Sequence, residues 1–319
     1  MQPGTFEVLV LGSNGALPAY ERFPSSQLLH VNERLYLIDC GEGTQFQLRK
    51  YGVRISRIRQ IFITHLHGDH VYGLPGLITT FQLMRRSEKL EIFGPPGIQS
   101  FCEQVLGWTT SQLQFELRCH ELRELNGVQF FDDEAVRVSA LPLEHKVPCV
   151  GYLFREKKER RKLDAVRLRA EGIPEICWRS LERGEDVQLP DGRRLAHAEY
   201  TISPPPGRSF AYCADTIYTR ALLPYLHKVD LLYHETTFLH ELEATAKEYG
   251  HSTTVQAAEL AREADVRALL TGHYSARYED PETLAMECRS VFAPVITGKE
   301  GLKIIVPWPR EAGAPYATV

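Results

Sequence analysis

Short apolar or alternating runs bounded by Gly, Pro and Asn fill the start of the chain, at Phe6 to Leu11, Ser26 to Val31 and Leu35 to Asp39. Side chains alternate faces along a strand and these turn residues end it, so the runs predict a strand meander. Helical spacing then begins at Thr44 to Tyr51. Further strand patterns lie at Ile61 to Thr64, Leu90 to Phe93, Val136 to Leu141, Val150 to Phe154, Phe210 to Ala214, Leu231 to His234, Ala268 to Thr271 and Leu302 to Val306. Helical patterns lie at Val71 to Phe81, Gly97 to Leu106, Phe238 to Tyr249, Thr254 to Ala264 and Pro281 to Phe292. A meander followed by strands alternating with helices predicts two sheets covered by helices, a layered α/β sandwich.

Composition fits a large enzyme core, with 43% apolar residues among 319. That size allows two domains or one large α/β domain. No apolar run approaches the roughly 18 residues of a membrane helix, and Met1 to Gly12 lacks the basic start and apolar centre of a signal peptide, so the expectation is a cytoplasmic protein. The seven cysteines are odd in number, scattered and without a C-x-x-C pair, which argues against a disulfide framework or a cysteine zinc knuckle and for buried free thiols.

The net charge of -4 conceals one uneven stretch. Arg155 to Arg169 carries eight basic and three acidic residues, and Gly172 to Arg208 is then rich in Gly, Pro and charge. The basic stretch is helix-compatible but has too few apolar residues for a core helix. It reads either as a solvated surface helix or as an arm that supplies phosphate contacts to a nucleic acid.

The chemistry is concentrated in Thr64-His65-Leu66-His67-Gly68-Asp69-His70, which places three imidazoles and a carboxylate on a loop between a strand and a helix. Zinc takes nitrogen ligands in tetrahedral geometry and, in catalytic sites, leaves a position for water. Two metals need about seven protein ligands, so others must come from loops after other strands. His145, Asp215 and His273 each stand just past the end of an apolar strand, where such ligands can converge. His30, His120, His197, His227 and His240 have no comparable context and read as structural or solvated.

His-x-His-x-Asp-His followed in order by a lone His, an Asp and a His resembles the metallo-β-lactamase superfamily. Within it the chain resembles the ribonuclease Z family over nearly its whole length. The resemblance rests on Leu11-Gly12-Ser13, Asp39-Cys40-Gly41-Glu42-Gly43-Thr44-Gln45, FITHLHGDH with Gly73-Leu74-Pro75-Gly76-Leu77, Ala214-Asp215-Thr216, His234-Glu235-Thr236-Thr237, His251-Ser252-Thr253, and Gly272-His273-Tyr274-Ser275-Ala276-Arg277-Tyr278. It implies one metallo-β-lactamase-like domain over 1–319, a four-layer αββα sandwich, with an inserted basic substrate-binding arm (exosite) at about 155–208. The implied activity is removal of the 3′ trailer from precursor tRNA by metal-activated water, leaving a 3′-hydroxyl on the tRNA and a 5′-phosphate on the trailer.

Carried over by position, the resemblance implies two Zn2+ per subunit. His65, His67 and His145 would hold one, Asp69, His70 and His273 the other, and Asp215 would bridge them. Asp69 is also the implied general base, and His251, held by Glu235, the implied acid at the leaving 3′-oxygen. Thr253 and Gln256 have the spacing of a capping box, which leaves a plain helix start as the other reading of the His251 triplet. Asp39 either orients a ligand imidazole or simply ends its strand or caps the next helix. Lys157, Lys158, Arg160, Arg161 and Lys162 are the candidate RNA backbone contacts, and Arg277 is either a phosphate contact or an ion-pair partner. The Gly-Pro motif that the family arm often carries is missing after Gly172-Ile173-Pro174, and the loop Leu17 to Phe23 lacks the family Asn after Arg22. The resemblance further implies a homodimer, with tRNA rather than DNA as the partner and no membrane association. The alternatives are another hydrolase of this fold, a small-molecule phosphodiesterase or lactonase, or a non-catalytic RNA-binding protein with structural zinc.

Overall fold

The structure, a computed structural model, describes residues 4–109, 112–157, 161–203, 206–307 and 316–318. Backbone contacts divide the chain into two compact units, one formed by Met1–Arg155 with Arg208–Val319 and the other by Glu156–Gly207.

In the larger unit the strands in chain order are β1 (Phe6–Gly12), β2 (Ser26–Val31), β3 (Arg34–Ile38), β4 (Ile58–Phe62), β5 (Leu90–Gly94), β6 (Leu117–Glu121), β7 (Gln129–Asp132), β8 (Val136–Pro142), β9 (Val150–Glu156), β10 (Ser209–Cys213), β11 (Leu231–Glu235), β12 (Leu269–Gly272), β13 (Val295–Thr297), β14 (Lys303–Ile305) and β15 (Ala317–Thr318). They form one sheet in the order β15-β14-β1-β2-β3-β4-β5-β6 and a second in the order β13-β12-β11-β10-β9-β8-β7. The meander β1 to β3 is antiparallel, whereas β3 to β6 and β10 to β13 pair in parallel.

Alternation decides the layers. Phe6, Val8 and Val10 of β1 join Tyr36, Phe62, Tyr152, Phe154, Phe210 and Tyr212 in one cluster drawn from both sheets, so one face of each sheet meets the other. Leu9 and Leu11, on the opposite face of β1, pack instead with Leu48, Leu74, Leu77, Phe81 and Ile98 from helices. Leu232 and Leu269 on the outer face of the second sheet pack with Leu226, Ala258, Leu260 and Ala285. Helix, sheet, sheet and helix therefore stack as the four-layer αββα sandwich expected of the sequence. Buried Phe, Leu and Val side chains stabilise each layer by about 1.5–3 kcal/mol apiece relative to exposure.

The parallel strands matter most for function, because they deliver their following loops to one edge. Asp39 follows β3, Thr64 to His70 follow β4, Asp215 follows β10, Glu235 ends β11 and His273 follows β12. His145 reaches the same place from beyond β8. All seven cysteines are free; Cys40, Cys102, Cys149, Cys213 and Cys288 are buried, Cys119 and Cys177 half-buried. Among the described residues no helix is long and apolar enough to cross a membrane.

Four strands, β6, β7, β13 and β15, lie where the sequence pattern predicts none. Each is the last strand of its sheet at one end, and β6 and β7 contain no buried residue, so the alternation that marks a two-faced strand is weak. The helix expected from Phe238 starts later, at Glu243, after a 3-10 turn at His240–Leu242. Phe238 is engaged elsewhere, its carbonyl accepting the Thr254 N–H at 3.0 Å.

The smaller unit has its own core of Leu168, Ile173, Leu181, Leu189, Leu195 and Tyr200. Helix Ala165–Ala170 is capped by Asp164 and buries only Leu168, in keeping with a basic stretch too poor in apolar residues for a core helix. Helix Glu175–Glu182 and the two-residue pairings of Lys162–Leu163 with Thr201–Ile202 and Val187–Gln188 with Arg194–Leu195 complete it. Lys162 is exposed. Arg161 instead spends its Nε on the Thr201 hydroxyl at 2.5 Å. Lys157 is half-buried, and Lys158 and Arg160 lie outside the described residues.

Candidate metal centre and active site

Two groups of ligand atoms converge above the parallel strands. His65, His67, His145 and Asp215 form one, and Asp69, His70, Asp215 and His273 the other, with the donor atoms of each group within 4.8 Å of one another. Asp215 belongs to both because its two oxygens face different ways. Its Oδ2 lies 3.5 Å from His65 Nε2 and 3.9 Å from His145 Nε2, while its Oδ1 lies 3.0 Å from His273 Nε2 and 3.4 Å from His70 Nε2. Asp69 Oδ2 stands 3.4 Å from both His70 Nε2 and His273 Nε2. His67 enters through Nδ1, 3.1 Å from His65 Nε2 and 3.4 Å from His145 Nε2.

These spacings fit metal ions. Ligands about 2.0–2.1 Å from a tetrahedral zinc are about 3.3 Å apart along the tetrahedron's edges, near the middle of the observed range. His70 Nε2 and Asp215 Oδ1 are buried without a hydrogen-bond partner, a costly arrangement for polar atoms unless they ligate something. The carboxylates and imidazoles of the two groups set one another's charge. Burial would raise the Asp215 pKa, but His273, His70 and His65 outweigh it and hold the carboxylate ionised. Conversely, burial would lower His273, and Asp215 with Asp69 pushes it up to about 10. His65 and His145 go the other way, kept below the usual histidine value mainly by burial, and are neutral as ligands must be.

A second ring of partners aims the ligands. Asp39 Oδ2 lies 2.8 Å from His70 Nδ1 and accepts the Tyr212 hydroxyl at 3.1 Å, while Oδ1 accepts the Thr64 N–H at 2.8 Å. Asp39 is fully buried, and the next helix, Thr44–Lys50, has no side-chain cap, so this carboxylate orients an imidazole rather than capping. His65 Nδ1 faces Thr64 Oγ1 at 3.1 Å, His273 Nδ1 faces Thr237 Oγ1 at 2.9 Å, and His145 Nδ1 donates to the Gly250 carbonyl at 2.8 Å. Asp69 Oδ2 accepts the Ala16 N–H at 2.8 Å. Ala16, Asp39 and His273 all have φ near +60° (61°, 55° and 55°), a left-handed conformation costing about 1–3 kcal/mol for such residues, which these contacts help to sustain. Thr64, Thr237, Ala16 and Gly250 carry no chemistry that a sequence reading singles out. The family motifs contain Thr64 (FITHLHGDH) and Thr237 (His234-Glu235-Thr236-Thr237), whereas nothing points to Ala16 or Gly250.

Gly15 meets the same centre by absence of a side chain. A Cβ there would sit 2.5 Å from His273 Cε1 and 2.8 Å from both ring nitrogens. Gly15→Ala is therefore expected to displace His273 and weaken metal binding about 10- to 100-fold, the usual effect of disturbing a ligand's supports. Metal titration with a competing chelator measures it; unchanged affinity would show that the ring can move without loss.

His251 stands beside both clusters. Its Nδ1 lies 3.0 Å from Glu235 Oε1, and Glu235 also accepts the Thr216 N–H at 2.7 Å and the Thr237 hydroxyl. Burial would lower the His251 pKa, but the Glu235 carboxylate outweighs it and the net shift is upward. The capping box is present as well, with Thr253 and Gln256 bonded reciprocally at the start of helix Thr254–Glu263, so the triplet starts a helix and also carries the His251–Glu235 pair. Glu235, His251 and His273 could form a third metal group, but Glu235's oxygens are already engaged and His273 belongs to the second cluster.

A cavity of about 420 Å³ opens over the clusters, lined among others by Asp69, Asp215, His251 and Arg277. Arg277 is exposed there and forms no ion pair among the described residues, which favours a ligand contact over a structural one. His30, His120 and His197 are paired with Glu7, Glu91 and Asp186, His240 with Thr253, and His227 is exposed, all away from the metal groups.

A family model described as Anti-Pycsar protein Apyc1 matches residues 6–154, under half of the chain. The structure is similar to that of human tRNase Z, short form, with a TM-score of 0.68 and 27% identity over 94% of this chain and 99% of that one. It also shares its fold with the metallo-β-lactamase fold protein YhfI from Bacillus subtilis, with a TM-score of 0.67 and 20% identity over 94% of this chain and 99% of that one. Ribonuclease Z of Porphyromonas gingivalis is 41% identical over 299 residues, 94% of this chain and 98% of that protein. At that identity and coverage, the chain belongs to the ribonuclease Z family of metallo-β-lactamase-fold proteins.

Proposed function

We propose that this chain is a zinc-dependent endoribonuclease that cuts the 3′ trailer from precursor tRNA, leaving a 3′-hydroxyl on the tRNA and a 5′-phosphate on the trailer. The observation that carries this reading is Asp215 facing two ligand clusters with the Glu235–His251 pair beside it, in a chain of this family. His65, His67, His145 and Asp215 would hold one zinc, and Asp69, His70, His273 and Asp215 the other. Bound there, the two ions supply Lewis acidity to the phosphodiester and acidify water.

The chain's own groups account for the protons. Water adds to phosphorus, the bond to the 3′-oxygen breaks, the water proton passes to Asp69, and His251 gives a proton to the departing 3′-oxygen. Because His251 Nδ1 is committed to Glu235, Nε2 is the nitrogen that faces the leaving group. Arg277, at the cavity, binds a phosphate oxygen. Lys162 and the other basic residues of Glu156–Gly207 bind the RNA backbone, with affinity that falls as salt rises. The active form is a cytoplasmic homodimer in which one subunit's arm presents tRNA to the other's site, and zinc is the resident metal.

Separation of arm from chemistry is testable. The core of the smaller unit extends to Tyr200, and a Cβ on Gly207 would lie 1.9 Å from the Glu156 carbonyl oxygen, so the unit's ends are adjacent and the whole segment can be replaced by a short linker. That deletion is expected to raise KM for precursor tRNA on the order of tenfold or more while sparing turnover of a small phosphodiester. Loss of both activities in a folded deletion variant would refute the division of labour.

A further inference from the structure

The hydrolytic machinery leaves part of the cavity wall without a task. Tyr249 lines it with its ring half exposed, 50% accessible, and Lys146 lines it beside His145. Lys146 Nζ lies 5.2 Å from the centre of the Tyr249 ring. By contrast Phe238, close by, is only 6% exposed and packs on His251. A tyrosine left at the mouth of a charged cavity, with a cation over its ring, contributes little to the core. It has the character of a stacking platform beside a phosphate-binding charge.

The position of that platform is fixed. Tyr249 ends helix Glu243–Tyr249, Gly250 turns the chain at φ 83°, and His251 follows with its N–H bonded to the Ala246 carbonyl at 2.8 Å. The Gly250 carbonyl meanwhile accepts from His145. The ring is thus two residues from the imidazole that faces the leaving oxygen, and is tied to a residue of the first ligand cluster.

We infer that Tyr249, with Lys146 beside it, forms a subsite that stacks the base on the 5′ side of the scissile phosphodiester, the last nucleotide retained by the tRNA. The inference rests on the endoribonuclease reading. Stacking of this kind accepts any base, since every base has a π face, so it predicts affinity without strong sequence preference.

The test combines Tyr249 variants with precursor tRNA carrying an abasic residue at that nucleotide. Tyr249→Ala is expected to lower kcat/KM on the intact precursor about 5- to 150-fold, while Tyr249→Phe and Tyr249→Trp keep most of it. On the abasic precursor, wild type should fall by a similar factor and Tyr249→Ala should lose little more, because the two changes remove one contact. The inference is overturned if the two losses multiply, if Tyr249→Ala leaves the intact precursor unaffected, or if the coupling moves to an abasic residue on the trailer side. Wild type that hydrolyses a small phosphodiester but leaves every precursor uncut would instead remove the reading on which the inference rests.

Discussion

Asp215→Ala is expected to abolish the metal pair and with it cleavage. The carboxylate is the residue common to both clusters, with one oxygen 3.5 Å from His65 and the other 3.0 Å from His273. Its removal takes a ligand from each ion and leaves His70 and His273 facing each other, with Asp69 beside both and Asp39 on the far side of His70. Metal content measured by elemental analysis should fall from two ions per chain to one or none. Since charge stabilisation by metals is worth several kcal/mol and each 1.36 kcal/mol is tenfold in rate, kcat should fall on the order of 10³-fold or more. Circular dichroism separates loss of metal from loss of fold. A folded variant that keeps both ions and its rate would disprove the bridging role.

His251→Ala is expected to behave differently. The residue touches the ligand clusters but gains its hold from Glu235, 3.0 Å away, so both ions should remain. A positioned general acid typically contributes 10²- to 10⁴-fold, and kcat on precursor tRNA should fall by about that factor. The sharper reading is the leaving-group dependence. A 3′-alkoxide needs a proton to depart, whereas 4-nitrophenolate does not, so hydrolysis of bis(4-nitrophenyl) phosphate should be far less impaired. An equal loss on both substrates would rule out proton donation and return His251 to a structural or ligand role.

The two sheets and the ligand loops were legible because each is written locally. Strands such as Phe6–Gly12 and Ser209–Cys213 are short apolar runs closed by turn residues, and each ligand follows such a run directly. What holds the ligands was not legible, because it comes from chain far away. Gly250 supports His145 across 105 positions and Ala16 supports Asp69 across 53, both through backbone atoms that every residue possesses. The inserted segment was expected at about 155–208, but its own core was not legible, for another reason. Its six core residues, Leu168 to Tyr200, are spread over several two- to eight-residue elements, none long enough to show a period. Charge counting likewise could not separate exposed Lys162 from Arg161, whose guanidinium is bonded to Thr201.

The family membership and the paired clusters together make substrate identity the central claim. Mapping the cut and its end groups on a single precursor tRNA, with the zinc-loaded protein, tests it most directly. The account predicts one cut at the 3′ trailer, a 3′-hydroxyl on the tRNA and a 5′-phosphate on the trailer. Turnover of bis(4-nitrophenyl) phosphate by the same zinc-loaded protein, with the trailer left intact, would contradict it.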